Sequence, residues 1–194
     1  RELSGEDVLL KMETMTKVFS EGEGIRGLSL EIRRKEILAL VGESGSGKTT
    51  AARILTGMLK EDEGTLYYHG HAMDRRRRMA SLAGRVQMVF QDPYASLNPC
   101  LTVRETLTEA LAAVQRNREM QDTLPEKIDK MLELTGISQD EADRYPRELS
   151  GGQRQRIGIA RALIVEPELF VCDEALSSLD ATTREQILEL IFRL

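Results

Sequence analysis

Residues 42–49 read Gly-Glu-Ser-Gly-Ser-Gly-Lys-Thr, directly after the unbroken apolar run Ile37–Val41 and just ahead of the helical spacing of Lys48–Leu59. An apolar run without alternation predicts a strand buried on both faces, as in a parallel sheet covered by helices. The glycines predict a tight turn, because they lack a Cβ and accept positive φ. Strand, glycine turn and helix in that order constrain the chain to an α/β fold.

The other segments fit around that unit. Val8–Met15 and Leu28–Ile32 predict two early strands, the second alternating Leu28, Leu30 and Ile32 with Ser29 and Glu31. Leu66–Tyr68, Val86–Phe90 and Leu169–Cys172 are further strands. Between Leu101 and Leu134 the period becomes helical, with Val103, Leu107, Leu111 and Val114 on one face and Ile128, Met131, Leu132 and Leu134 on another. A helix follows Ser150-Gly151-Gly152 to about Val165, and Thr182–Leu194 is the last. The reading is a parallel α/β sheet interrupted by a helical insert.

Composition excludes several classes. The 194 residues carry 27 Lys+Arg against 32 Asp+Glu, a net charge of −5 that does not favour wholesale nucleic-acid binding. No stretch approaches the roughly 20 apolar residues of a membrane span, and the N-terminus lacks a secretory pattern. Arg75–Arg78 reads as a solvated helix start or loop. His69 and His71 flank Gly70 in an expected turn, with no spacing for a metal site. Cys172 lies in an apolar run and reads as a small core residue; with Cys100 far away, a reducing setting is expected.

The chemistry concentrates in two places. Residues 42–49 match G-x-x-x-x-G-K-[ST], whose converging backbone N–H groups and following helix suit a phosphate chain. Lys48 supplies a full positive charge to the outer phosphates, and Thr49 a hydroxyl for Mg²⁺. The candidate phosphate-binding set is Gly42, Glu43, Ser44, Gly45, Ser46, Gly47, Lys48, Thr49 and Thr50. At the tip of the Leu169–Cys172 strand stand Asp173 and Glu174. Open α/β sheets bind ligands at the carboxyl ends of their strands, so the acids and the loop are expected to share a crevice. Asp173 is then placed to hold Mg²⁺, and Glu174 to accept a proton from a water attacking the γ-phosphate.

Leu149-Ser150-Gly151-Gly152-Gln153 precedes a helix and makes a second anion-receiving turn. Together with the phosphate loop and the strand ending in Asp-Glu, it resembles the ATP-binding cassette family over nearly the whole chain. The resemblance implies a P-loop NTPase with a RecA-like parallel core, an N-terminal antiparallel β portion and an inserted helical subdomain. It implies one domain over residues 1–194, with the core in 1–91 and 154–194 and the insert at about 92–153. Two cassettes would meet head to tail, and Ser150, Gly151, Gly152 and Gln153 of each would cap the ATP held by the loop of the other. Glu174, Gln91 and Lys48 are the implied catalytic residues, and Thr49, Gln91 and Asp173 the metal-binding ones. Ser178-Leu179-Asp180 matches the loop across the dimer interface. Phe19 stands where the family stacks an aromatic on adenine; an ordinary core Phe is the other reading.

Gln91-Asp92-Pro93-Tyr94-Ala95-Ser96-Leu97-Asn98-Pro99 and Arg144-Tyr145-Pro146-Arg147-Glu148 resemble the oligopeptide, dipeptide and nickel importer subfamily. Asp173-Glu174-Ala175, with Ala in place of Pro, is similar to the second ATPase of nickel and metallophore importers. The implied function is ATP hydrolysis driving uptake of a small peptide or chelated metal. Its cofactors are ATP and Mg²⁺. The implied partners are a second cassette, transmembrane permease subunits and, indirectly, a solute-binding protein, at the cytoplasmic face of the membrane. The alternative is a soluble cassette serving nucleic acid, a ribosome or an enzyme complex. Two departures stand out. Lys35 replaces a Gly before Glu36, which requires a turn without positive φ or some strain. The family's switch histidine is expected after Asp180, and the chain reaches Leu194 without it.

Overall fold

The computed structural model describes residues 7–20, 22–74, 76, 78–90, 97–114, 124–173 and 181–193. They form two compact units, residues 1–83 and 84–194.

In the first unit, β1 (Val8–Val18) pairs antiparallel with β2 (Gly24–Arg33) on one side and β3 (Glu63–Tyr68) on the other. A short β4 (His71–Ala72) completes the order β2-β1-β3-β4. His69 and Gly70 join β3 to β4, both at positive φ (49° and 76°), as in a two-residue hairpin turn whose twist matches the strands. The expected turn is therefore present. Leu10, Met12, Met15 and Leu66 are fully buried on this sheet. Helix α1 (Lys48–Leu55) buries Ala51, Ala52, Ile54 and Leu55. It ends sooner than the spacing to Leu59 suggests. Gly57 turns left-handed (φ 76°) and its N–H donates to the Ile54 carbonyl at 3.0 Å, closing the helix.

Two expectations fail in this unit or at its edges, and the turn at Lys35 takes one of its two expected forms. Ile37–Val41 is not a strand: it pairs with no described strand, and Ile37 and Val41 are 67% and 94% exposed. Apolar composition favours burial but does not supply the ladder partner that makes a strand. Lys35 has a φ of 59°, so its turn takes the strained alternative. It is held there by Arg33 N–H donating to Glu36 Oε2 at 2.7 Å. Arg78 is not solvated. At the start of α2 (Arg78–Leu82) it is 3% exposed, and its guanidinium grips the fully buried Glu61 carboxylate at 2.5 and 2.9 Å. The fork of Arg matches a carboxylate in two parallel bonds, which a charge run read from sequence does not reveal.

The second unit places β5 (Val86–Val89) parallel to β6 (Leu169–Cys172), in register from Val86↔Leu169 to Val89↔Cys172. Helices α3 (Val103–Val114), α4 (Leu124–Leu134), α5 (Gln139–Ala142) and α6 (Gly151–Leu163) lie between them in sequence, and α7 (Ala181–Arg193) follows. Helix α6 is apolar on two sides. Ile157, Ala160 and the following Ile164 join Val103, Leu107, Leu111, Ile128 and Leu132 in one core. Ile159, Ala162 and Leu163 join Val89 and Ile187 in another. Arg104 of α3 ties the smaller helices, donating to Asp129 of α4 at 3.0 Å and to Gln139 of α5 at 2.5 Å. No described helix is long and apolar enough to cross a membrane.

Cys172 corrects a third expectation. It is the last residue of β6 and exposed, because the strand ends there. The protein packed around its sulfur, and then the Asp173 charge, still push the thiol up to about 12.

Candidate functional site

The phosphate loop is shaped by its own chain. A Cβ on Gly47 would stand 2.5 Å from Ile25 Cγ2 and 2.8 Å from the Gly24 carbonyl, and the residue has a φ of 91°. A Cβ on Gly42 would meet Ser46 Oγ at 2.6 Å. Gly47 therefore excludes a side chain, whereas at Gly42 only the Ser46 hydroxyl would have to swing aside. Gly45 is also left-handed (φ 81°), but the space around it is open. Lys48 Nζ donates to the Gly42 and Glu43 carbonyls, both at 2.8 Å, which folds the ammonium over the loop. Gly47 has no side chain with which to cap α1. A lysine ammonium beside a glycine turn at a helix start fits a phosphate group in charge and in donor direction.

In the second unit, Asp173 lies at the carboxyl end of β6, and its N–H donates to the Val89 carbonyl at 3.1 Å. The parallel register thus sets Asp173 beside the end of β5, two residues before position 91. Gln91, Glu174 and Ser178-Leu179-Asp180 lie outside the described residues. Phe19, just past β1, is 43% exposed, with Lys17 Nζ 5.9 Å from its ring centre. The ordinary-core reading of Phe19 is excluded by that exposure.

Ser150 caps α6. Its Oγ accepts the Gln153 N–H at 3.3 Å, and its own N–H donates to Gln153 Oε1 at 2.6 Å, a reciprocal capping box. Gly151 and Gly152 form the first turn, and a Cβ on either would meet nothing within 4 Å. Their smallness answers to no contact among the described residues.

Two supporting residues escaped the motif reading. Arg154, 7% exposed, donates to the Pro146 and Leu149 carbonyls and so ties the 3-10 turn Pro146–Glu148 to the helix start. Glu141 makes a second capping box with Ser138 at the start of α5. Its signal was present: Ser138 and Glu141 are spaced as S-x-x-E, as Ser150 and Gln153 are spaced as S-x-x-Q.

A glycine turn with Lys48 and Thr49 opening a helix, an acid at the tip of a parallel strand, and an N-terminal antiparallel sheet define a RecA-like P-loop NTPase with a helical insertion. The family model described as ABC transporter matches residues 25–177, and the chain belongs to that family. It is 39% identical over 172 residues to the oligopeptide transport ATP-binding protein OppF of Bacillus subtilis (strain 168), covering 87% of this chain and 56% of that one. It is 37% identical over 195 residues to the oligopeptide transport ATP-binding protein OppF of Streptococcus mutans, covering 96% and 62%. The chain thus spans less than two thirds of these curated relatives. The dimeric structure of a post-hydrolysis state of the ATP-binding cassette MJ0796, bound to ADP and Pi, superposes with a TM-score of 0.85 at 28% identity, over 94% of this chain and 81% of that one.

Proposed function

We propose that the chain is the ATP-binding and ATP-hydrolysing cassette of a peptide importer, working as one of two cassettes that share each nucleotide. The observation that carries this is the contrast between two glycine turns. Gly47 is demanded by its own loop, whereas a Cβ on Gly151 or Gly152 would meet no described residue, which suits a ligand brought by another molecule. The related structure is described as dimeric, which supports two chains meeting there. The names of the OppF relatives support a peptide as the solute.

In this reading the cassette is one domain, with a core of residues 1–91 and 154–194 and a helical insert at about 92–153. Gly42 to Thr50 cradle the phosphates, Phe19 stacks on the adenine, and Lys48 neutralises charge that develops on the outer phosphates. Thr49, Gln91 and Asp173 would hold Mg²⁺, which supplies a second positive charge to the phosphate oxygens when bound. Glu174 accepts the proton of the attacking water, and Gln91 orients that water. Ser150, Gly151, Gly152 and Gln153 close over the nucleotide of the partner cassette. The protein works at the cytoplasmic face of the membrane against permease subunits, fed by a solute-binding protein. Nucleic acid is not a partner in this scheme, and the burial of Arg78 against Glu61 removes one charge of the basic run from any such surface.

The test is sedimentation of Glu174→Gln with and without ATP, together with the intact natural partner cassette. ATP-dependent doubling of mass, abolished by Ser150→Arg without loss of ATP binding, is expected. A mass indifferent to ATP overturns the shared-site reading.

A further inference from the structure

We infer that Glu141 is a positioning residue for the signature turn, acting through Gln153; the inference rests on the shared-site reading above for its functional consequence. The Glu141 carboxylate joins two capping boxes. One oxygen, Oε2, accepts the Ser138 N–H at 2.6 Å, closing the box at the start of α5. The other, Oε1, accepts a hydrogen bond from Gln153 Nε2. That bond fixes which way the Gln153 amide faces. Its nitrogen points to Glu141, so its oxygen is delivered to the Ser150 N–H at 2.6 Å. An unanchored glutamine amide has two nearly equivalent orientations, and only one of them can accept that N–H.

The consequence reaches the groups that face outward. Ser150 N–H is engaged with Gln153, and Ser150 Oγ accepts the Gln153 N–H. The hydroxyl proton of Ser150 is then the group left to donate outward, beside the N–H groups of Gly151 and Gly152. Glu141 thereby sets the donor pattern that the turn offers to a phosphate group. The support behind Glu141 is itself anchored. Gln139, two residues away on α5, accepts from Arg104 of α3 and donates to Asp129 of α4 at 3.2 Å. Arg156, one turn along α6 from Gln153, donates to the Gly136 carbonyl at 2.8 Å and lends its positive charge to Glu141.

The experiment compares wild type, Glu141→Ala, Glu141→Gln, Gln153→Ala and the Glu141→Ala/Gln153→Ala double variant. The first readout is amide hydrogen exchange along residues 139–163. Glu141→Ala should speed exchange at Ser150 by about fivefold to tenfold, the size expected for one lost hydrogen bond. Residues Ile157–Leu163 should stay unchanged. Glu141→Gln keeps one acceptor where the carboxylate has two and turns an NH2 toward the Ser138 or the Gln153 donor; it should fall between wild type and Glu141→Ala, and the double variant should be no faster than Gln153→Ala. Unchanged Ser150 exchange in Glu141→Ala, a uniform rise over the whole helical unit, or additive effects in the double variant overturns the proposal. The second readout is ATP-driven association in the Glu174→Gln background. Glu141→Ala should weaken it severalfold while the ATP affinity of the single chain is unchanged; equal association overturns the functional half. If the parent itself shows no ATP-driven association, the shared-site reading fails, and the exchange data still decide whether Glu141 positions the turn.

Discussion

The phosphate loop and the signature turn are both glycine-rich entries to helices, yet their glycines are small for opposite reasons. At Gly47 an added methyl would strike Ile25 and the Gly24 carbonyl, and the backbone is left-handed. At Gly151 and Gly152 it would strike no described residue, and the backbone is not left-handed. One turn is small because its own fold requires it. The other carries a helix-weakening pair of residues with no internal return, and on the reading proposed above that room belongs to a partner's nucleotide.

The contrast breaks first, and by the largest margin, at Gly47. Gly47→Ala should cost about 3 kcal/mol, from overpacking plus a disallowed φ, and the loop should no longer bind ATP. Urea unfolding and calorimetric titration check both effects; a stable variant that still binds ATP would remove the internal demand. Next in size, Lys48→Ala should weaken ATP binding by ~1.5–3 kcal/mol, the range for charge-assisted hydrogen bonds, with little effect on unfolding. Calorimetry with Mg·ATP measures it.

At the signature the sign reverses. Gly151→Ala should raise the unfolding free energy by about 0.5–1 kcal/mol, since Ala suits a helix better than Gly. The same change should weaken ATP-driven association of cassettes. Stability from urea curves and mass from sedimentation test the two halves, and a destabilised Gly151→Ala would mean the turn is small for its own sake after all.

The smallest effect is one of pH. Burial pushes the Glu141 carboxyl up, but the Ser138 backbone and hydroxyl bonds, Gln153 and the Arg156 charge outweigh it and hold the group below the usual glutamate range. A carboxylate whose folded pKa is depressed contributes stability above its unfolded value near 4.5, and that contribution is lost as pH falls through the lower folded value. Protection of the Ser150 amide should therefore hold at pH 5 and fade only below about pH 4.5. The phosphate loop, whose bonds run from Lys48 to backbone carbonyls, should show no such change. Amide exchange at Ser150 and Ser46 between pH 3 and 6 separates them.

Local patterns were the legible part of this molecule. Leu169–Cys172 and the helix after Gly151 follow from apolar spacing and turn residues, and the phosphate loop follows from its motif. What sequence concealed depends on a second residue far along the chain. Ile37–Val41 looked like a strand because it is apolar, but strands are made by partners. Arg78 looked like surface because it ends a basic run, and only its carboxylate partner, 17 positions back at Glu61, buries it. Cys172 looked like core because its neighbours are apolar, whereas its place at the end of β6 exposes it. The bridge from Glu141 to Gln153 and the ties made by Arg154 are likewise invisible until α5, the 3-10 turn and α6 are brought together.

The buried Glu61–Arg78 pair restricts how this chain can change over generations. Losing either partner alone strands the other charge in the interior, at about 3–5 kcal/mol, while exchanging both for apolar residues of similar volume is commonly neutral or better. Against a typical total of about 5–15 kcal/mol, the single step is close to lethal for folding and the double step is not. Positions 61 and 78 are therefore expected to be inherited as a unit. A descendant that has lost the arginine should have lost the glutamate with it, and a library selected for folding should yield both residues or neither.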